Sequence, residues 1–288
     1  MYRNCSHFFK YVLAIALLVI LLFSTNSFEL MGNPRVSLQG PPDQVLSFSV
    51  EGARPLAEAI EILVKKYGWQ ITYEDARYVH ESDLVDKTDP NYLKNNPGTT
   101  RRALRPRPGR IDFTYPVTTK NPAGIPDNPG KVIQRLLDAH AAAGNPGIFG
   151  LKRDFGIFHV LPIQTKNSAG QMVKVSSILD TRISFPEEER TGYQTLRVIC
   201  ETISKSTGTE VTVGTIPLNF FIRYRSTEGA TNEPARNVLV RFLSGTGARF
   251  YWLLFYGAGW QGYALNIQAA PDPPKPPQGK MDPTGRRY

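Results

Sequence analysis

One phrase is written twice in this chain, and the repetition limits the fold more than any property of composition does. In the first copy, RPLAEAIEILVKKYGWQITYE (residues 54–74), Leu56, Ala59, Ile60, Leu63, Val64 and Tyr67 fall at helical spacing, with Glu58, Glu61, Lys65 and Lys66 between them. Pro55 suits a first helical turn and Gly68 a left-handed stop. After the glycine, Trp69, Ile71 and Tyr73 alternate with Gln70, Thr72 and Glu74, the period of a strand. The second copy, TLRVICETISKSTGTEVTV (residues 195–213), lies 140 positions on: Leu56 matches Leu196, Glu61 Glu201, Lys65 Lys205, Gly68 Gly208, Ile71 Val211 and Tyr73 Val213.

The match continues downstream. IDFTY (111–115) corresponds to FFIRY (220–224), which predicts a strand in each copy. KVIQRLLDA (from Lys131) corresponds to NVLVRFLSG (from Asn237), which predicts a second helix. Each copy closes on an apolar hairpin, IFGLKRDFGIFHV or RFYWLLFYGAGWQGYALNI. The spacing between copies falls from 140 to 106 because the first carries an insertion at about residues 75–110. The prediction is an α+β chain of two small repeated modules, each strand, helix, strand, strand, helix, hairpin, with two helices packed on a small sheet. The expected boundaries are a first module at 45–163, a linker at 164–177, a second module at 178–268 and a proline-rich, disordered tail at 269–288.

Upstream of the modules, Arg3 and Lys10 precede an uninterrupted apolar run at residues 11–23. That run is short for a membrane span, which takes roughly 20 residues, so residues 1–27 read as a signal peptide or an N-terminal anchor within 8–23, followed by a linker at 28–44. The expected location is therefore outside the cytoplasm. Only Cys5 and Cys200 are present, and Cys200 sits at core spacing between Leu196 and Ile203, so no internal disulfide is expected. The formal net charge of +9, two units of it from Arg3 and Lys10, favours anionic surfaces.

The phrase FSVEGARPLAEAIEILVKKYGWQITYE, together with EPARNVLVRFLSGTG and a closing apolar strand, resembles the short N-terminal domain shared by secretins and TonB-dependent receptors. The resemblance covers about residues 45–163 and 178–268. It implies a periplasmic interaction module that docks onto partner envelope proteins or neighbouring subunits, with no catalytic residue and no cofactor. Nothing after Asn266 resembles a secretin ring or a receptor barrel.

Two sets of residues are candidate binding groups. The closing hairpin is apolar on both faces, which requires a second cover from the other module or from a partner, and this makes Trp252, Phe255, Tyr256, Trp260 and Tyr263 partner-binding candidates. The insertion carries Arg101, Arg102, Arg105, Arg107 and Arg110 without an intervening acid, a candidate site for an anionic envelope polymer or lipid in a loop whose prolines discourage regular structure. No aromatic platform is interleaved among these arginines, so nucleic acid is not expected as a partner. Catalytic and metal-binding signatures are missing: no His or Cys pair has ligand spacing, and S-K-S at 204–206 is not a nucleophile motif. GTGAR (245–249) precedes a strand and reads as a helix stop, and PEEER (186–190) reads as an acidic lead-in to the second module's first helix. An enzymatic role survives only if His140, His159 and Asp154 share a pocket.

Overall fold

The computed structural model describes residues 45–99, 102–116 and 125–274; the expected signal segment, the first linker, Arg101 and most of the tail lie outside these residues. The first module begins with β1 (Val45–Gly52), α1 (Pro55–Tyr67) and β2 (Ile71–Glu74). Leu56, Ala59, Ile60, Leu63, Val64 and Tyr67 are all buried, and Gly68 closes α1 at φ 65° with its N–H donating to the Val64 carbonyl. A side chain at Gly68 would also strike the backbone of Pro273, so the glycine serves both the turn and the approach of the C-terminal segment. The insertion follows, with a 3₁₀ turn at Glu81–Asp83 and the elements β3 (Leu84–Asp86), α2 (Pro90–Asn95) and β4 (Leu104–Pro106). The module ends in β5 (Gly109–Pro116), α3 (Pro129–Ala142), β6 (Ile148–Asp154) and β7 (Ile157–Lys166).

The second module repeats the order as β9 (Arg182–Thr191), α4 (Gly192–Thr207), β10 (Val211–Val213), β11 (Arg225–Pro234), α6 (Ala235–Gly245), β12 (Phe250–Gly257) and β13 (Gly262–Ala269). In each module the first and fourth elements form a two-stranded antiparallel ribbon, β1 with β5 and β9 with β11. The helices lie between that ribbon and a three-stranded sheet.

Several sequence expectations are corrected. FFIRY is not a strand: it belongs to α5 (Leu218–Arg223), where Phe220 and Tyr224, four residues apart, stack at 5.8 Å, and the strand matching β5 is β11. A short apolar run has no periodicity long enough to separate the two states. PEEER is the second half of β9, and α4 starts instead at a capping box, with the Thr191 side chain accepting from the Gln194 N–H and the Gln194 side chain accepting from the Thr191 N–H. The insertion is not structureless, because β3 and β4 pair antiparallel and Arg107 N–H donates to the Asp83 carbonyl. The linker is a strand addition, β8 (Met172–Lys174) pairing with the end of β7. The tail begins ordered, since Arg249 donates to the Pro271 carbonyl and to that of Gly68.

The two three-stranded sheets are one sheet. Its order is β10-β13-β12-β2-β7-β6, and β12 joins β2 in parallel with Leu253 opposite Tyr73 and Leu254 opposite Glu74. Directly paired residues share a face. Tyr73 and Leu253 therefore look toward α1 and α3, while Glu74 and Leu254 look toward α4 and α6. The modules cover opposite faces of the common sheet, and near the seam each helix layer overlaps the other module's strands. Arg54 at the start of α1 lies over the Phe255 ring at 4.6 Å, and Val240 and Leu243 of α6 line one small cavity with Gln70 and Ile157. That overlap is why β2 is buried at every position and β12 at nearly every one.

Candidate functional site

The aromatic hairpin is the hydrophobic half of the seam. Trp252, Tyr256 and Tyr263 are buried, and Phe255 is half-buried between Tyr73 and Arg54. Of the five partner-binding candidates Trp260, 44 % exposed, is the most accessible, and its indole folds back over Gly257 and Gly262, where any side chain would collide with it. The second cover that the two-sided pattern demanded is the first module, and it leaves Trp252, Tyr256 and Tyr263 out of reach of an outside partner.

Two buried ionic networks fasten the seam, one on each face. On the α1 side, Arg54 Nε donates to Asp75 Oδ2 at 2.6 Å and its NH2 donates to the Tyr256 carbonyl at 2.7 Å. Asp75 also accepts from the Tyr73 hydroxyl at 2.7 Å and the Tyr256 N–H at 2.9 Å, so a carboxylate only 1 % exposed is fully satisfied. On the α6 side, the Arg236 guanidinium donates to both Glu74 oxygens at 2.9 and 3.0 Å and pairs with Asp180, while Ser177 donates to Glu74. Burial pushes the Glu74 carboxyl up, and Arg236 pulls it back. These residues escape a single-copy reading. The signal was in the comparison of the copies: the positions matching Arg54, Glu74, Asp75 and Arg236 hold Gln194, Gly214, Thr215 and Gly130.

His140 and His159 do not share a site. His140 packs edge-on to Phe149 on the α3 side, whereas His159 lies on the opposite face, its Nδ1 2.8 Å from Thr72 Oγ1 and its ring 5.4 Å from Trp252. Burial, with Arg236 nearby, lowers His159 to about 4, so it is neutral in the folded chain, and its Nε2 has no partner. Asp154 pairs with Lys152. Burial pushes the Cys200 thiol up to about 12, the behaviour of a core residue. Among the described residues no three His, Cys, Asp or Glu side chains converge as a metal site, and no helix is long and apolar enough to cross a membrane.

The insertion borders a cleft of about 680 Å³ between the Glu81–Asp83 turn, the start of β5 and the end of α3. Ala139, Ala142 and Ala143 line it from the end of α3, and Arg107, Arg110 and Lys166 line it as well. Lys166 is paired with Asp83 at 2.7 Å and Arg110 with Asp112 at 2.9 Å, while Arg107 makes one side-chain hydrogen bond, from Nε to the Ser82 carbonyl. Ser82 Oγ lies 2.7 Å from His80 Nδ1 and 2.9 Å from Lys166 Nζ, and the same lysine donates to Asp83 Oδ1 at 2.7 Å. Arg102 pairs with Asp86 at 3.6 Å and Arg105 is exposed on β4, outside the cleft. Of the four candidate arginines among the described residues, the cleft brings together Arg107 and Arg110; Arg101 lies outside the described residues.

The remaining surfaces of note are the two ends of the sheet. At one end is β6. Pro162 has no N–H, so its pairing with Phe149 is a non-hydrogen-bonded one, and by alternation the N–H and C=O of Leu151 also point away from β7. Among the described residues no strand lies beside that edge. At the other end β10 is only three residues long, and Ser204 Oγ accepts from the Val211 N–H at 2.8 Å, which closes half of its outer edge. No family model, curated protein or solved structure matches the chain.

Proposed function

We propose that this chain is a non-enzymatic cell-envelope protein that binds other envelope proteins by adding a strand to its sheet, with β6 as the acceptor. The observation that carries the reading is the seam: an edge of one module takes a strand from the other, and two flanking side-chain networks fix its register. Strand addition supplies main-chain hydrogen bonds to any extended partner, and side chains of alternating face supply the choice among partners. Export to the envelope follows from residues 1–27, and the basic balance of the chain favours an anionic surface nearby. A photo-crosslinking residue at Lys152, exposed on β6, tests the proposal in intact cells, with the same probe at Arg197 as the control. A defined adduct at Lys152 that disappears on Leu151→Pro is the expected result. Identical adducts from both probes, or none from Lys152, would overturn it.

A second reading is favoured by the cleft: Arg107, with its terminal nitrogens uncommitted in a space also lined by alanines, holds a carboxylate or phosphate group of an envelope polymer or lipid. It predicts salt-sensitive binding to anionic vesicles that Arg107→Ser abolishes. Unchanged binding by that variant refutes it.

A further inference from the structure

The seam joins modules of the same construction, so the operation that relates them can be read from the sheet. The order β10, β13, β12 matches β2, β7, β6 from the same side. Strand directions reverse between the sets, because β12 is parallel to β2 while β13 is antiparallel to β12 and β7 is parallel to β2. The helix-bearing face reverses as well. Preserved order with direction and face both exchanged is a half-turn about an axis running across the strands, together with a shift along it. Such an operation does not close on itself: it leaves a β12-like edge free at one end, which is β6, and a β2-like edge free at the other, which is β10.

The groups that form the seam recur at these ends. In the seam, β2 presents the N–H and C=O of Tyr73 and the N–H of Asp75, the last donating to the Leu254 carbonyl at 2.8 Å. The matching residue of Tyr73 is Val213, outside the part of β10 that Ser204 closes. Through the shared pairing of Val160 and Leu265 with the two short strands, Leu151 matches Leu254, Gly150 matches Leu253 and Lys152 matches Phe255. Gly150 would then sit opposite Val213 and Leu151 opposite Gly214, each pair containing a glycine and so free of bulk. Exposed apolar residues flank both ends: Ile163 lies against Gly150, and Leu218 and Ile222 occupy the helix that follows β10.

From this geometry we propose that the partner taken up by β6 is a second copy of this chain, whose β10 joins it in parallel, head to tail, with Gly150 opposite Val213. This rests on the edge-binding reading above and names its partner. The side-chain locks of the seam are absent at the outer positions, where Gln194, Thr215, Gly130 and Gly214 stand for Arg54, Asp75, Arg236 and Glu74. Association between copies is therefore weaker than the internal seam and reversible, held by main-chain hydrogen bonds and the apolar flanks.

The test uses the full chain with Cys5→Ser, in which Cys200 is buried and inert. Lys152→Cys and Thr215→Cys are prepared separately; the register places these two positions side by side on adjacent copies. With a short bismaleimide, a covalent dimer is expected in the mixture and in neither variant alone, and the doubly substituted chain is expected to give a ladder. Leu151→Pro or Val213→Pro, each removing an N–H aimed outward, should lower the crosslinked fraction by about tenfold or more; two variants at opposite ends guard against a folding defect in one. A chain that remains monomeric to about 1 mM, or a Lys152→Cys chain that dimerises with itself, overturns the head-to-tail contact. If the Lys152 photo-adduct in cells proves to be a different protein, the edge-binding reading stands and the second copy falls; if no edge-specific adduct forms, both fall.

Discussion

Arg236→Met is the sharpest test of how the two modules are held together. Arg236 is 2 % exposed and faces the Glu74 carboxylate, 1 % exposed, through three hydrogen bonds. Removing the cation leaves a buried carboxylate with only Ser177 as a side-chain partner, and breaking a buried pair in this way costs about 3–5 kcal/mol. For a folded unit of this size each kcal/mol is worth about 2–4 °C, so the melting temperature should fall by roughly 6–20 °C. Glu74→Gln combined with Arg236→Met removes both charges while keeping the bulk and the Ser177 contact. The double variant should recover most of the loss, a coupling of at least about 2 kcal/mol in a urea-denaturation cycle. Acid should narrow the gap as well. Burial already pushes the Glu74 carboxyl up, and without Arg236 it rises further, so lowering the pH neutralises the stranded group and the single variant loses less at pH 5 than at pH 7.5. If the single variant loses under about 1 kcal/mol, or the losses simply add, the pair is not what fixes the seam.

Other outcomes follow from the same seam. His159 has a folded value of about 4 against an ordinary 6.5, so its contribution is complete above pH 6.5 and is lost as the pH falls toward 4, about 3 kcal/mol in all; His159→Gln should flatten that part of a stability-versus-pH curve, leaving the effect of His140, also lowered by burial. Trp252→Ala opens a cavity at the junction and should cost about 3–5 kcal/mol, measured by chemical denaturation, whereas Trp260→Ala, on a half-exposed tip, should cost far less. Thr191→Ala deletes the capping box of α4 and should cost about 1 kcal/mol by the same assay. Gly68→Ala places a methyl group against the Pro273 backbone at positive φ and should lower the melting temperature, a loss that truncation before Pro271 partly relieves.

Local pattern carried the sequence reading a long way. The periodicity of residues 56–67 and 196–203, the glycines at 68 and 208 and the alternation after them give α1 and α4, their ends and the strands β2 and β10 that follow, because an amphipathic face is a one-dimensional property. Burial of Cys200 followed from spacing in the same way. What spacing does not specify is which apolar surface meets which. The hairpin at 250–267 announced that it needed two covers, yet only the folded chain assigns the second cover to the first module and withdraws Trp252, Tyr256 and Tyr263 from the surface. Likewise Arg236 and Glu74 stand 162 positions apart, a separation over which no periodic signal passes, and they meet only because β12 pairs with β2. The sequence by itself determined two copies of one module, since each is built from contacts close along the chain. Tertiary structure alone decided how the copies join and which edges that union leaves open, because both depend on contacts between distant segments whose partners are chosen by shape and charge in three dimensions.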